Sequence, residues 1–360
     1  MKILLIESAV TGHHLSYLNA IIEKQVEGNE VYVILPEKCE ISNKVKKQIN
    51  IKLYKDGKPD YFKWIKKVND VIDEIEPDLV HFIYADDLYR YFGIGIKKPV
   101  KYKSVLTVHQ LRRGKLHDLS IRMLSAKFSS TVVHTAALKE TLGGLKIKTV
   151  DHIEYPQFGA HEKEAQEKAL ASLGINKNEI HGKVLLCLGG TREDKGLDIL
   201  LEALKGVKEP YHLIVAGAEQ HFKRDFIEKE AEGYKDKVSL FLEFLSEEKF
   251  GHCLNAADIL VLPYKKAFDG ASGPLGEGVW VEKEIIGPSH GSLGDIIEKH
   301  HLGRTFEAEN AQDLRRVMSE ELKKNDFEID EKYKEYHKMM DVERFKEDYD
   351  ALYKRLAKVK

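Results

Sequence analysis

Residues 184–196 read VLLCLGGTREDKG, a short apolar segment that runs straight into a turn rich in glycine and charge. The leucines that follow, Leu197, Leu200, Leu201 and Leu204, recur at the spacing of one helix face. A buried strand, a glycine turn and an amphipathic helix in this order are the repeating unit of parallel α/β sheets. This stretch therefore predicts a Rossmann-like unit whose ligand-binding edge is the turn.

The same alternation of apolar strand and amphipathic helix extends toward both ends of the chain. Strands are predicted at Lys2–Ile6, Glu30–Leu35, Leu79–Ile83, Ser104–His109, Thr131–His134, Val184–Leu188, His212–Ala216, Val238–Leu242, Ile259–Pro263, Glu284–Gly287 and Arg304–Phe306. Segments with helical spacing lie between them. We therefore expect an α/β fold with doubly wound parallel sheets and helices on both faces.

A break in this pattern divides the chain. Over 155–178 the strands pause, and Pro156 and Gly159 precede a polar stretch rich in Glu, Lys and Ala. A chain of 360 residues is longer than a single hydrophobic core usually supports, and its length suits two domains. We place the first domain at 1–158 and the second from 159 onward. The charged, helical tail has its apolar positions at Tyr333, Tyr336, Phe345, Tyr349 and Leu352.

Composition argues against several classes of protein. The formal net charge of −2 disfavours a general nucleic-acid binder, since such binders carry a strong basic excess. The three cysteines, Cys39, Cys187 and Cys253, are widely spaced, which favours reduced thiols in a cytoplasmic protein. The first ten residues resemble a strand and not a signal peptide, and no run approaches the roughly 18 apolar residues of a membrane helix.

Arg192 and Lys195 place two cations three residues apart at a predicted strand end, beside Gly189 and Gly190. A diphosphate leaving group needs such neutralisation, because negative charge builds on it as its bond to a sugar breaks. The pair therefore indicates a site for a departing diphosphate. The plainer interpretation is a solvated loop with chance charges.

The segment 263–277, PYKKAFDGASGPLGE, follows another predicted strand and carries Asp269 and Glu277 with seven residues between them. An ionised carboxylate accepts several hydrogen bonds at once and so suits the hydroxyls of a sugar or a ribose. The helix start near Ser272 and Gly273 offers free N–H groups to a phosphate. Taken alone, two acids in a loop are more often ordinary surface residues.

Taken together, these motifs resemble glycosyltransferase family 4, a retaining family with the GT-B fold. The matching residues are Arg192, Lys195-Gly196, Asp198, Ala256–Asp258, Leu262-Pro263, Asp269-Gly270, Gly276-Glu277, Lys283–Ile286 and Gly291–Asp295. They are similar to the family's Arg and Lys-Gly helix start, its Glu-x7-Glu motif and its Gly-Gly-x-x-Glu stretch. The resemblance covers about 180 to 310 well, and in the first half 107–109 and 133–139 fit more weakly.

The sequence departs from this family at three positions. Asp269 replaces the first Glu of the motif, which shortens the side chain by one methylene and leaves donor choice and activity open. Glu282 stands where glycine is usual, and Glu284 where proline is usual. The same departures would suit a protein of this fold that has lost catalysis.

The resemblance implies a GT-B architecture of two Rossmann-like domains facing a central cleft. A C-terminal helix at about 340–360 would return to complete the first domain, which leaves 159–339 as the nucleotide-sugar domain. The implied reaction moves a sugar from a nucleotide-diphosphate sugar, UDP by default, to a hydroxyl acceptor with retention of configuration. No metal or other cofactor is implied, because the two cations already neutralise the leaving group.

The resemblance also implies roles for the candidate catalytic residues. Arg192 and Lys195 would stabilise the departing diphosphate. Glu277 would hold the ribose hydroxyls, and Asp269 would touch the donor sugar. His109, in the first domain, would contact the sugar near the reacting centre, with a buried structural histidine as the alternative.

The remaining donor contacts are implied at strand ends and at the helix start. Gly12, after the first strand, would let the backbone approach the phosphates. The base would lie near Phe244 and Leu245. Further donor-binding positions are Gly190, Ser272 and Gly273.

The segment 111–127 combines basic and apolar residues. Its cations are Arg112, Arg113, Lys115, Arg122 and Lys127, against one acid, Asp118. Such a segment can rest on anionic lipid at the inner membrane face. The acceptor would then be a lipid-linked saccharide, such as a glycolipid or a cell-envelope polysaccharide precursor. The alternative is an amphipathic helix packed on its own sheet.

Other functions stay open at this stage. A nucleotide-sugar epimerase shares the fold but needs acids placed to move a ring proton, and no such set is identified; a phosphorylase needs a lysine-held cofactor and a longer chain. A degenerate GT-B protein would bind a partner or glycan, although it has no need of Arg192, Lys195 and Glu277. A dinucleotide oxidoreductase is disfavoured because no Gly-x-Gly-x-x-Gly follows the first strand.

Overall fold

Strands and helices alternate along the chain in the computed structural model. The residues that it describes are 1–10, 14–55, 57–86, 88–97, 102–111, 114–158, 161–268 and 272–358. The strands are β1 (Lys2–Ile6), β2 (Glu30–Leu35), β3 (Lys47–Asn50), β4 (Tyr54–Lys55), β5 (Lys58–Pro59), β6 (Leu79–Phe82), β7 (Lys103–Val108), β8 (Ser130–Val133), β9 (Val150–His152), β10 (Lys183–Leu188), β11 (Tyr211–Ala216), β12 (Val238–Phe241), β13 (Ile259–Val261), β14 (Glu284–Pro288) and β15 (Gly303–Phe306). The helices are α1 (His14–Gln25), α2 (Tyr61–Ile75), α3 (Lys115–Ser125), α4 (Ala136–Gly144), α5 (Gln166–Ser172), α6 (Leu197–Leu204), α7 (Arg224–Glu230), α8 (Glu247–Ala256), α9 (Gly273–Trp280), α10 (Gly291–Lys299), α11 (Ala311–Leu322), α12 (Glu331–Met339) and α13 (Val342–Lys358).

Two parallel sheets organise these elements into two compact units. The first unit comprises Met1–Phe158 with Met340–Lys360, and the second comprises Gly159–Met339. The first unit's sheet has the strand order β3-β2-β1-β6-β7-β8-β9, and the second unit's sheet has the order β12-β11-β10-β13-β14-β15. All neighbouring strands in both sheets run parallel. The predicted class, α/β with parallel sheets, is confirmed.

The central strands are apolar along their length because both of their faces are covered. On β1, Ile3 and Leu5 join one buried cluster, while Leu4 and Ile6 join the cluster on the opposite face. This double burial is what an uninterrupted apolar strand predicts. Among the helices that the structure describes, none combines the length and apolar character needed to cross a bilayer.

Each predicted strand is present, with ends that differ by at most two residues. The sequence did not predict β3 or β9, the two edges of the first sheet. β3 reads KQIN and is largely polar, and β9 contains three residues, none of them fully buried. An edge strand with one solvated side needs no apolar run, so its sequence resembles a loop.

The C-terminal helix α13 packs against α1 within the first unit. The Phe345 ring lies 4.9 Å from the ring of Tyr17, and Tyr349 and Tyr353 are buried beside them. A chain of buried hydrogen bonds also joins α13 to the sheet through His134, Tyr17, Tyr349, Thr107, His81 and Tyr353. Burial lowers the pKa of His134 to about 4 and that of His81 to about 3, so both rings are neutral near pH 7.

Neutral rings determine the direction of the first hydrogen bonds in this chain. His134 donates through Nδ1 to the carbonyl oxygen of Ile153 at 2.8 Å, because a carbonyl can only accept. The Nε2 atom of His134 must then accept from the hydroxyl of Tyr17, at 3.1 Å. Since Tyr17 has donated its only hydroxyl proton, its oxygen accepts from the hydroxyl of Tyr349.

The remaining bonds follow in the same direction. Tyr349 accepts from the hydroxyl of Thr107 at 3.1 Å, and Thr107 in turn accepts from Nε2 of His81 at 2.8 Å. The Nδ1 atom of His81 then accepts from Tyr353 on α13. Each donor in the chain has one acceptor, so the buried polar atoms are satisfied and α13 is held in one register.

Candidate functional site

The cationic turn, residues 189–196, follows β10 at the centre of the second sheet and leads into α6. Gly196 adopts a left-handed conformation, with φ of 66°, at the start of that helix. A Cβ atom at this position would overlap the carbonyl oxygen of Pro263, so the close approach of the two strand-end segments requires glycine. The turn therefore lies directly against the segment that leads to α9.

Arg192 is oriented by a bidentate ion pair. Its Nε and Nη2 atoms donate to the two carboxylate oxygens of Asp194 at 2.9 and 2.6 Å. The hydrogen bonds and the charge of Asp194 raise the pKa of Arg192, and the same contacts lower the pKa of Asp194. The Arg192 side chain is still 51% exposed, so a ligand can reach the guanidinium from solvent.

Lys195 lies against two aromatic rings. Its Nζ atom is 3.7 Å from the ring centre of Tyr264 and 4.4 Å from that of Phe268. Burial, reinforced by the nearby charge of Arg192, lowers the pKa of Lys195 to about 7. A bound anion would offset the effects of burial and of Arg192 on this pKa, because it would supply a negative charge that the two rings do not carry. Lys195 is therefore an amine whose positive charge a negatively charged ligand would stabilise.

The start of α9 lies beside this lysine. The Tyr264 and Ser272 hydroxyls are 3.1 Å apart, and Ser272 caps α9 by accepting from the backbone N–H of Leu275. Pro274 occupies the first turn, where its missing N–H costs nothing. A Cβ atom on Gly189 would be 3.8 Å from Pro274. The structure thus brings the cationic turn and the predicted phosphate-facing helix start, Ser272 and Gly273, together.

Glu277 lies one turn further along α9 and is 6% exposed. Its Oε2 atom is 3.3 Å from Nε2 of His161, an interaction that raises the pKa of His161. His161 lies in the polar stretch that the sequence suggested only as a domain break. Sequence reasoning missed this partner because nothing local in either segment indicates the contact.

The predicted base-binding residues lie at the same edge of the sheet. Phe244 and Leu245 follow β12, which is separated from β10 by one strand. The Phe244 ring is 93% exposed, whereas Leu245 is half-buried. Gly190 in the cationic turn is half-buried, and a Cβ atom there would approach the side chain of Gln220 to 3.1 Å. Gly12 and Asp269, the other two predicted donor contacts, lie outside the described residues.

The departures at Glu282 and Glu284 both lie near the amino end of β14. Glu282 has a left-handed φ of 60°, a conformation in which glycine is the usual residue, and its carboxylate pairs with Lys163 at 2.5 Å. Glu284 begins β14, at the amino end of the strand, and is buried beside Glu321. Burial and the neighbouring Glu321 raise the pKa of Glu284 to about 8. Neither carboxylate belongs to the carboxyl edge of the sheet.

His109 follows β7 in the first unit, where it is surrounded by aromatic rings. Its Nε2 atom donates to the carbonyl oxygen of Ile83 at 3.0 Å, and its backbone N–H donates to Asp86. Burial and the adjacent ring of His134 hold the pKa of His109 well below its usual value. His109 is therefore neutral, with Nδ1 as its acceptor atom.

Glu7 and His14 join this edge of the first sheet, and the sequence did not single out Glu7. Glu7 follows β1 and is buried, with Oε2 3.4 Å from Nδ1 of His14. Burial raises the pKa of Glu7. The His14 ring lies 4.5 Å from Tyr84, which lies 5.4 Å from His109. The sequence signal for Glu7 is an acidic residue immediately after an apolar strand. In the sequence, Glu7 served only to mark the end of that apolar run.

Comparison with known proteins identifies the class of protein and a family that matches its second unit. The solved structures similar to this chain include a sucrose-phosphate synthase from Thermosynechococcus elongatus (15% identity, 99% of this chain and 98% of that chain, TM-score 0.78). The Anabaena protein HepE in complex with UDP is also similar (14%, 98% and 99%, TM-score 0.75), as is the lipopolysaccharide outer core galactosyltransferase WaaB (16%, 99% and 100%, TM-score 0.70). Such low identity establishes the fold alone, which is the GT-B fold of glycosyltransferases.

A family match lies in the second unit. Residues 166–340 match the family described as glycosyl transferases group 1. The match covers most of the second unit, and together with the shared fold it identifies a glycosyltransferase that takes a sugar from a nucleotide-sugar donor. None of the curated proteins with which the chain was compared matches it in sequence.

Proposed function

We propose that this enzyme is a retaining glycosyltransferase that moves a hexose from a UDP-sugar to a saccharide hydroxyl. One observation carries the proposal: Arg192, Lys195 and the capped start of α9 converge at a single strand edge of the second sheet. Two cations and a helix N-terminus suit a diphosphate, whose charge increases as it leaves. The Anabaena protein HepE, which shares the fold, has been solved with UDP-glucose.

In the proposed reaction, the bond between the anomeric carbon and the diphosphate oxygen breaks while the acceptor oxygen bonds to the same face of that carbon. The diphosphate leaves toward Arg192 and Lys195, and its leaving oxygen takes the proton of the acceptor hydroxyl. Retention follows from attack on the face that the leaving group vacates. The two cations and the helix start would neutralise the diphosphate without a metal ion.

The other residues would orient the donor. Glu277 would accept hydrogen bonds from the ribose hydroxyls, and the base would lie near Phe244 and Leu245. Asp269 keeps the sugar-binding role that its motif implies. His109 is neutral and fixed by Ile83, so its Nδ1 atom would accept a hydrogen bond from a sugar hydroxyl without adding charge.

The positions of the sequence departures favour an active enzyme over a degenerate binding protein. Glu282 lies in the turn before β14, and Glu284 is buried at the amino end of that strand. Arg192 and Lys195, by contrast, occupy the strand edge at which ligands of parallel sheets bind. A protein without catalysis gains nothing from a desolvated lysine beside an exposed arginine.

The test is a calorimetric titration with UDP, GDP and ADP of the wild type and of Glu277→Ala. We expect micromolar binding of UDP by the wild type and a large loss in the variant, because a buried carboxylate that binds ribose has no substitute in alanine. The Glu282→Ala variant is a matched control, since it also removes a carboxylate nearby in sequence, and should bind as the wild type does. Binding of none of the three nucleotides would favour the degenerate protein.

We further propose that the acceptor is lipid-linked and is met at an anionic membrane surface, the inner face of the cytoplasmic membrane. The support comes from α3. Its inner residues Ile121 and Leu124 are buried, as expected for an amphipathic helix packed on its own sheet. Its outer face, however, presents Leu116, Leu119 and Met123, which are 71%, 46% and 45% exposed.

Charge on the same face supports this second proposal. Lys115 and Arg122 are exposed and share the outer face of α3 with the three apolar side chains. A mixture of exposed apolar and basic residues suits an anionic lipid surface. Arg112 and Arg113 lie outside the described residues.

The test is co-sedimentation of the protein with lipid vesicles. We expect the wild type to sediment with vesicles of phosphatidylcholine and phosphatidylglycerol, and less with phosphatidylcholine alone. The double variant Leu116→Asn/Met123→Asn should no longer sediment with either. Equal recovery of this variant and the wild type in the vesicle pellet would contradict the proposed membrane contact.

A further inference from the structure

The segment that enters the second unit, residues 161–166, is hydrogen-bonded to α8. Asn255 is buried and holds two backbone groups of the segment. Its Nδ2 atom donates to the carbonyl oxygen of Glu162 at 3.0 Å, and its Oδ1 atom accepts from the N–H of Glu164 at 3.2 Å. The Glu164 carboxylate also pairs with His252 on α8. The position of the segment is therefore determined by specific contacts and not by its own sequence preference.

His161 occupies a fitted position within this segment. Its ring stacks on Phe250 of α8, with ring centres 5.2 Å apart and planes inclined by 26°. Gly251 makes room for the ring, because a Cβ atom there would be 3.0 Å from Nδ1 of His161. The His161 side chain is only 8% exposed. The ring therefore has one orientation, in which Nε2 is directed toward Glu277 at 3.3 Å.

The Glu277 carboxylate depends on this histidine. Among the described side chains, His161 is the one that pairs with Glu277, through Oε2. That oxygen is buried, and the imidazole of His161 at 3.3 Å supplies its charge partner. A buried carboxylate without a charge partner tends to take up a proton, and a neutral acid can no longer accept hydrogen bonds through both oxygens.

We propose that His161 is a positioning residue of the donor site, which holds Glu277 by Oε2 so that Oε1 is presented to the ribose hydroxyls. The inference rests on the ribose-binding role proposed above for Glu277, and it adds the entry segment of the second unit to the donor site. The groups that face His161 are carboxylates, Glu277 from α9 and Glu247 from α8. Both favour the imidazolium form, and Glu277 has the larger effect, so His161 holds its proton beside that carboxylate.

The experiment compares the affinities of two nucleotides for four proteins. UDP and 2′,3′-dideoxyuridine 5′-diphosphate are titrated into the wild type, His161→Phe, His161→Gln and Glu277→Ala. Phenylalanine keeps the stack on Phe250 and removes the donor, whereas glutamine keeps an N–H donor. We expect His161→Phe to weaken UDP binding roughly 10- to 100-fold, the loss of one charge-assisted hydrogen bond. The dideoxy nucleotide should bind the wild type and His161→Phe equally, and His161→Gln should recover most of the UDP affinity.

The outcomes separate this inference from the proposed function. Loss of UDP binding in Glu277→Ala with no loss in His161→Phe would overturn the positioning role and leave the donor site intact. Equal losses for UDP and the dideoxy nucleotide in His161→Phe would also overturn it, because the effect would then not pass through the ribose hydroxyls. Failure of the wild type to bind UDP, GDP or ADP would overturn the proposed function and the inference together. Should His161→Phe unfold, Glu277→Gln replaces it in the comparison. Wild-type affinity of Glu277→Gln for both nucleotides would overturn the positioning role of His161.

Discussion

The carboxyl edges of the two sheets are both lined by residues that follow parallel strands, yet their side chains are in opposite electrostatic states. At the second sheet Arg192 is half-exposed and charged, and Lys195 lies next to it against the rings of Tyr264 and Phe268. At the first sheet His109 and His134 are packed against each other, with ring centres 4.9 Å apart, and burial keeps both neutral.

This difference shows which edge can neutralise a charged group. Cations that are partly free of partners stabilise an anion because they have not been offset by the protein itself. Neutral histidines cannot do this, but they can orient hydroxyls through fixed donor and acceptor atoms. We therefore expect substitutions at the second edge to act on catalysis and nucleotide binding, and substitutions in the buried network of the first unit to act on stability.

The largest expected effect is on turnover. Arg192→Ala and Lys195→Ala should each lower it by roughly two to three orders of magnitude, as removal of one preorganised charge donor does. The measurement is the release of nucleotide diphosphate from the donor that the calorimetric titration identifies. Lys205→Ala is a suitable control, because Lys205 is an exposed cation at the opposite end of α6 that pairs with Glu202 and Glu230. Turnover close to the wild-type value in both variants would remove the leaving-group assignment.

The second expected effect is acid destabilisation of the first unit. The folded-state pKa values of His81 and His134 lie at about 3 and about 4, below the value of 6.5 for an unfolded chain. Between these limits the unfolded state binds more protons, so the free energy of unfolding falls as pH falls below about 6.5. At pH 5 each histidine should reduce it by about 2 kcal/mol.

Urea unfolding at pH 7 and at pH 5 measures this effect. In His134→Asn the pH dependence should be smaller by about one proton, although the variant itself is less stable. His290→Asn, which removes an exposed histidine before α10, is measured alongside as the control. An identical slope in His134→Asn and the wild type would show that this ring is already protonated in the folded state.

The contrast between the two edges also indicates how far sequence reasoning extends. Apolar runs and helical spacing predicted the central strands because those features follow from double burial. Arg192, Lys195 and Ser272 could be placed at one edge because each lies directly after a strand or at a helix start. The buried network could not be predicted, because the spacing of Tyr349 marks a core position whether or not its hydroxyl has a partner. Long-range pairs such as His161 with Glu277 leave no local pattern.

A smaller effect is expected from Tyr349→Phe. The substitution removes the hydroxyl at the centre of the buried chain, and Thr107 loses the acceptor for its proton. An unsatisfied buried donor costs about 1–3 kcal/mol, so the free energy of unfolding should fall by that amount. In Tyr32→Phe the lost hydroxyl is a surface group that donates to Glu30, and the change should stay within about 0.5 kcal/mol. Similar stabilities of the two variants would contradict the directional network.

The smallest effect concerns the protonation of Lys195 and separates the two edges most directly. Because its pKa is about 7, this lysine is mostly neutral at pH 8 in the free enzyme, and a bound diphosphate should restore its charge. UDP has no phosphate proton left to release at pH 8, since that group titrates near pH 6. Binding should therefore take up close to one proton, and UDP affinity should fall by no more than about tenfold for each pH unit above 7.

Titrations in two buffers with different ionisation enthalpies measure the proton uptake, which Lys195→Met should abolish. Equal binding enthalpies in both buffers would place the Lys195 pKa near its ordinary value, and the electrostatic contrast between the two sheets would then rest on Arg192 alone.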